Sequence, residues 1–156
     1  MKILKFIASI CFCYLVAFFG SFVTLPSIST WYAGLNKPPF NPPNFIFGPV
    51  WTILYTLMGI ALYLVWDKEK KNKSVNGAVE MFLLQLGLNF LWSLVFFGLH
   101  LPFAALLTII ALWICIVYTI LLFRKISQAA YLLLIPYIAW VSFALILNLF
   151  IVILNR

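Results

Sequence analysis

Residues 81–123 read MFLLQLGLNFLWSLVFFGLHLPFAALLTIIALWICIVYTILLF, 43 positions between Glu80 and Arg124 without one charged side chain. A helix crosses the hydrocarbon layer of a bilayer with roughly 20 apolar residues. The run is long enough for two crossings, and its break lies at GLHLP, 98–102, where glycine and proline favour a turn. Working outward, Lys5 and Lys37 enclose 31 uncharged residues, Lys37 and Asp67 enclose 29, and Lys125 and Arg156 enclose 30. Five spans are therefore predicted, near 5–25, 47–66, 79–98, 102–123 and 128–154. The 156-residue chain reads as a single all-α integral membrane domain, a five-transmembrane-helix bundle. Segment 26–46 is the connection with enough length for a structure of its own.

Composition leads to the same class. Charged residues make up 8% of the chain, against about 25% in a soluble domain. A water-soluble fold would lack the polar surface to cover itself. A membrane β-barrel would alternate over roughly ten-residue segments, and these unbroken runs do not. The N-terminal MKILKFIASICFCYLVAFFGS has the basic start of a signal peptide. Its apolar run continues to Leu25 with no A-x-A site after it, so an uncleaved first helix is expected.

The positive charge is a topology signal. With five spans, Lys2, Lys5, Lys68, Lys70, Lys71, Lys73, Arg124 and Lys125 share one side, and Lys37 and Arg156 the other. The positive-inside rule then predicts a cytoplasmic N-terminus, with the proline-rich connection and the C-terminus outside. The basic residues lie in short loops without a domain to present them, so no nucleic-acid partner is expected; membrane lipids are. Cys11, Cys13 and Cys115 fall within spans with no metal or disulfide spacing. No metal and no cofactor are expected.

No Asp, Glu, Lys or Arg falls at mid-membrane depth, which disfavours an ion-coupled pump. Asp67 and Glu69 belong to a loop, and Glu80 is placed at a helix start. His100, the only histidine, reads as a solvated turn residue. A carboxylate pair, a catalytic triad and a zinc site all lack parts. Uncharged polar and aromatic residues do recur at helical spacing. Gln85, Asn89 and Trp92 or Ser93 share one face of the third span. Trp51, Tyr55, Gly59 and Tyr63 or Trp66 line the second, and Pro136, Trp140, Ala144 and Asn148 the fifth, where Pro136 is expected to kink the helix. Ser9, Cys13, Ala17, Ser21 and Thr24 form a small-residue stripe on the first, suited to close helix packing, with ligand contact conceivable near Gly20 and Ser21. Amides cannot face lipid unpaired, so these lines should converge on an aromatic interior with sparse polar groups. Those are the materials of a site for a flat apolar ligand.

The connection carries WYAGLNKPPFNPPNFIFGPVW, 31–51. Pro38, Pro39, Pro42, Pro43 and Pro49 remove donors and stiffen the chain, while Trp31, Tyr32, Phe40, Phe45 and Phe47 offer apolar faces. The segment reads as a stiff aromatic lid over the bundle.

This stretch, extended through TILYTLMGIAL, closely resembles the signature of the TspO/MBR family, which includes the translocator protein (peripheral benzodiazepine receptor) and bacterial tryptophan-rich sensory proteins. QLGLNFLWSLVFF at 85–97 and PYIAWVSFALILN at 136–148 match in order, so the resemblance covers nearly the whole chain. The resemblance implies a five-helix bundle that binds porphyrins such as protoporphyrin IX, and flat drug-like ligands, in a pocket under the first connection. Carried over by position, Tyr32, Pro42, Pro43, Trp51, Asn89, Trp92, Trp140 and Ser142 would border that pocket, with Tyr55 and Phe90 beside them. A sensor or regulator of tetrapyrrole level is the leading expectation. Light-dependent porphyrin degradation, with Trp51 and Trp140 as redox-active neighbours, and porphyrin transport are the alternatives. Homodimers occur in the family. Two departures stand out. The tail LNLFIVILNR lacks the tyrosine of the animal sterol motif. Ser142 stands where alanine is common, and is expected to narrow the site.

Overall fold

Each uncharged run becomes helix, because a backbone crossing lipid must satisfy its own hydrogen bonds. The computed structural model describes residues 1–68 and 74–156. Helix α1 spans Lys2–Ile28, α2 Asn44–Trp66, α3 Val75–Ser93, α4 Pro102–Ile126 and α5 Gln128–Leu154. All five are long and apolar enough to cross a membrane, which gives the all-α, five-span architecture that the sequence predicts.

The boundaries depart from the predicted ones in informative places. Residues 26–28 belong to the last turn of α1 and 44–46 to the first turn of α2, so the first connection shrinks to 29–43. The Pro26 carbonyl accepts from the Thr30 hydroxyl at 2.8 Å, which closes the end of α1. Helix α3 begins at Val75, so Glu80 stands exposed in its second turn rather than at the helix start. Helix α4 runs on through Arg124 and Lys125, expected in a loop; their cations now meet the negative end of the helix dipole. One residue, Ser127, separates α4 from α5, and its hydroxyl accepts from the Ala130 N–H. Pro136 lies within α5, which continues to Leu154. The loop charges Glu69, Lys70, Lys71 and Lys73 lie outside the described residues.

The turn predicted at 98–102 is built differently. After Ser93 the helix widens into a π-helical turn, Leu94–Gly98. Leu99 and Leu101 donate back to the carbonyls of Leu94 and Val95 at 2.8 and 3.1 Å. His100 takes the left-handed conformation, φ 57°. It is exposed, but not merely solvated: its ring stacks on Trp31 at 4.5 Å.

Helix α1 packs on α2 and on α3 with its π-turn; α2 packs on α5, α5 on α4, and α4 on α3. The helices thus form a ring in the order α1, α2, α5, α4, α3. One end is solid. Met58, Phe82, Phe123, Leu134 and Tyr137 are all fully buried there, and Phe82 stacks on Phe123 at 5.7 Å. Basic residues gather at this end: Lys5 donates to the Trp66 carbonyl, Lys68 donates to the Ile126 carbonyl, and Lys2 lies 3.9 Å from Asp67. A second, smaller cluster of Tyr32, Phe96, Ala105 and Ile151 sits at the other end. Space remains between the two.

Candidate ligand-binding site

That space is a cavity of about 730 Å³ walled by α1, α2, α3 and α5. Tyr32, from the first connection, contributes to its wall. Six of the ten residues singled out in the sequence meet there: Tyr32, Trp51, Tyr55, Asn89, Trp92 and Trp140. Among the described residues no charged side chain lines it.

Helical spacing explains the convergence. Trp51 and Tyr55 are one turn apart on α2, with ring centroids 5.6 Å apart. Asn89 and Trp92 share a face of α3, and Trp140, Ala144 and Asn148 share a face of α5. Polar groups on these faces pair with one another. The Tyr55 hydroxyl donates to Asn89 Oδ1 at 2.7 Å, Asn89 Nδ2 donates to the Tyr137 hydroxyl at 3.0 Å, and that hydroxyl donates to Gln85 Oε1 at 2.7 Å. Trp92 Nε1 donates to Asn148 Oδ1 at 3.0 Å, and Asn148 Nδ2 donates to the Pro102 carbonyl at 2.9 Å. Two chains of hydrogen bonds therefore fix the Trp92 indole and the amides of Asn89 and Asn148. Gln85 Nε2 and Trp140 Nε1 are buried with no acceptor among the described residues. The Trp140 ring instead lies against Phe47 and Phe143, at 6.1 and 5.5 Å.

Four of the ten lie elsewhere. Pro42 and Pro43 sit in the chain entering α2, outside the cavity wall, and Phe90 lies on a neighbouring face of α3. Ser142 faces α4: it accepts from Trp113 Nε1 at 2.8 Å and donates to the Ile138 carbonyl at 2.7 Å. It therefore does not narrow the cavity as expected; it couples two helices behind it. The lines drawn through Gly59, Tyr63 and Trp66 also turn away from the cavity. Gly59 meets Ile10 of α1, and Tyr63 meets Phe6 at 5.3 Å. Helical period alone cannot tell which end of a line meets the neighbour and which meets open space.

Sequence reasoning missed much of the α1 wall, including Tyr14, Phe18 and Thr24, although Gly20 and Ser21 do contribute. Hydroxyl and aromatic residues at i, i+4 and i+10 were the available signal. It was masked because most residues around them are apolar as well.

The first connection is pinned on both sides. Asn36 N–H donates to Asn155 Oδ1, and Asn155 Nδ2 donates back to the Asn36 carbonyl, both at 2.9 Å. Lys37 Nζ donates to the Tyr32 and Leu35 carbonyls at 2.7 and 3.0 Å, and lies 4.8 Å from the Tyr32 ring centre. The Tyr32 hydroxyl donates to Asn41 Oδ1 at 2.8 Å. Burial pushes this phenol above its ordinary pKa, and the Asn41 bond offsets part of the rise. Opposite, the Ser27 hydroxyl donates to the Phe97 carbonyl and lies 3.2 Å from His100 Nε2, beneath the Trp31–His100 stack.

Comparison with known proteins identifies the family. A match to the TspO/MBR family covers residues 9–154. The chain is 51% identical to "Tryptophan-rich protein TspO" of Archaeoglobus fulgidus over 155 residues, covering 99% of each chain. It is 47% identical to the protein of that name from Chlorobaculum tepidum, over 99% of this chain and 98% of the relative. "Translocator protein" of Homo sapiens is 39% identical over 76% of this chain and 70% of its own length. A chain with this five-helix ring and these signature blocks, matched end to end by such relatives, belongs to the TspO/MBR family.

Proposed function

We propose that the protein binds porphyrins, protoporphyrin IX among them, and related flat apolar molecules in the cavity, and acts as a sensor or regulator of tetrapyrrole level. The observation that carries this reading is an uncharged cavity of about 730 Å³ whose wall holds Trp51, Trp92 and Trp140 with Tyr32 and Tyr55. A planar conjugated ring gains roughly 25 cal/mol for each Å² of apolar surface buried. Aromatic side chains add about 0.5–1.5 kcal/mol per well-oriented ring contact, and the Trp92 indole is held in place by its bond to Asn148. Asn89 keeps one amide hydrogen beyond its bond to Tyr137, enough to meet a polar edge.

The basic end of the bundle is assigned to the cytoplasm and the Tyr32 end to the outside, in a prokaryotic cell membrane, following the positive-inside rule and the prokaryotic relatives. Homodimer formation stays an expectation from the family.

A second reading, light-dependent breakdown of the bound porphyrin, is favoured by one feature. Trp51 lies 5.6 Å from the Tyr55 ring and 6.4 Å from the Tyr137 ring, so an indole oxidised by the photoexcited porphyrin, with dioxygen as the terminal electron acceptor, would have tyrosines beside it to reduce it again.

The test is a protoporphyrin IX titration of the purified protein, followed by tryptophan fluorescence. Saturable quenching is expected, with Trp51→Ala weakening affinity about tenfold or more, equivalent to ~1.4 kcal/mol. Cys115→Ala, away from the cavity wall, should bind like wild type; equal affinities for the two variants would remove the assignment. Loss of the Soret band on illumination, abolished in Trp140→Phe, would favour breakdown over binding alone.

A further inference from the structure

Helices α1 and α2 begin as a tight antiparallel pair. A Cβ placed on Gly59 would come within 2.7 Å of Ile10 Cδ1 and 3.0 Å of Ile10 Cα. One turn on, the Tyr14 hydroxyl bridges to Thr56 Oγ1 at 2.7 Å. Carrying this register outward would set Gly48 opposite Ser21, yet a Cβ on Gly48 would meet nothing within 4 Å. Helix α1 has changed partner. Its outer half closes on α3 and the π-turn: a Cβ on Gly98 would come within 2.8 Å of Val23 Cγ1, and Ser27 bonds the Phe97 carbonyl. The two helices therefore diverge like a V, with its apex at the Tyr14–Thr56 bridge.

The gap opens into the cavity, since Tyr14, Phe18, Gly48 and Thr52 belong to its wall and are themselves exposed. The gap lies between two membrane-spanning helices, so it faces acyl chains rather than water. Three of its hydroxyls are already engaged. Ser21 donates to the Ala17 carbonyl, Thr52 to the Gly48 carbonyl and Thr56 to the Thr52 carbonyl. The rim thus presents hydrocarbon, with Leu15 and Phe18 both more than half exposed. On the far side, the connection is clasped to α5 by Asn36 and Asn155.

We propose that the flank between α1 and α2 is a lateral portal through which an uncharged or weakly polar ligand, dissolved in the bilayer, passes into the cavity. The inference rests on the reading of the cavity as a ligand site. It also limits the ligand class to molecules that partition into lipid, because the path offers no group to replace the hydration of a charge.

Gly48→Phe tests it, because a Cβ on Gly48 meets no atom within 4 Å and the ring beyond it would project into the gap. Proteoliposomes carrying protoporphyrin IX dimethyl ester in the lipid phase, its two carboxylates capped so that the probe is uncharged, would be followed by stopped-flow tryptophan quenching. Association and dissociation should both slow about tenfold or more in Gly48→Phe; a loss of affinity with dissociation unslowed would place the ring in the site rather than in the path, and would overturn the portal. Asn155→Ala, which frees the clasp on the connection, should exchange ligand at the wild-type rate. Wild-type rates in Gly48→Phe, with acceleration in Asn155→Ala, would overturn the portal in favour of a route from water. If protoporphyrin IX gives no saturable quenching of the wild type, the ligand reading fails by itself. The portal is then read with chain-brominated phosphatidylcholine, which should quench the wild type more than Gly48→Phe; equal quenching would overturn it.

Discussion

Ser142 illustrates how much one side chain's direction matters. From its position in the sequence it reads as part of a ligand wall, yet its hydroxyl joins Trp113 of α4 to the Ile138 carbonyl. Ser142→Ala should leave protoporphyrin IX affinity within about twofold while lowering stability by about 0.6–1.7 kcal/mol, the range for interhelical bonds in membranes; a melting curve in detergent checks both halves when paired with the titration. Tyr137 sits deeper, fully buried, and its hydroxyl both accepts from Asn89 and donates to Gln85. Tyr137→Phe strands an amide hydrogen on one side and a carbonyl oxygen on the other. The expected cost is about 1–3 kcal/mol for each group left unpaired, read as a lowered melting temperature. An unchanged melting temperature would mean that Asn89 is held by Tyr55 alone.

Among the elements, α1 decides the shape of the site. It is the least buried of the five helices, and it touches α2 with one half and α3 with the other. Gly59 makes the first contact close, since its missing side chain lets the α2 backbone approach Ile10. Gly59→Ala should destabilise the fold by about 1–3 kcal/mol through overpacking, whereas Gly48→Ala should be neutral or stabilise by about 0.5–1 kcal/mol, because a glycine is removed from open helix. Thermal unfolding of the pair in the same detergent gives the comparison. The two glycines share one helix and differ only in what stands beside them.

For the whole molecule, the arrangement of charge predicts an orientation. In a cysteine-free background, Lys125→Cys should react with a membrane-impermeant maleimide only from the cytoplasmic side, and Asn36→Cys only from outside; the reverse pattern would invert the assignment. Five spans were legible in the sequence because charges are costly in hydrocarbon, so uncharged runs of 29–43 residues state the crossings directly. The tryptophan and asparagine lines on α2, α3 and α5 were legible as well, since helical period fixes which residues share a face. The contribution of α1 was hidden, because in a chain that is 66% apolar the face turned to lipid and the face turned to a cavity look alike. The sequence by itself thus determined the helices, their number and three walls of the site. Only tertiary packing decided that Ser142, Pro42, Pro43 and Phe90 stand outside the cavity, that the helix after Ser93 widens into a π-turn, and that α1 leaves α2 to close on it. The physical reason is that period and polarity are local properties, whereas a cavity is the place where packed helices fail to fill the space between them.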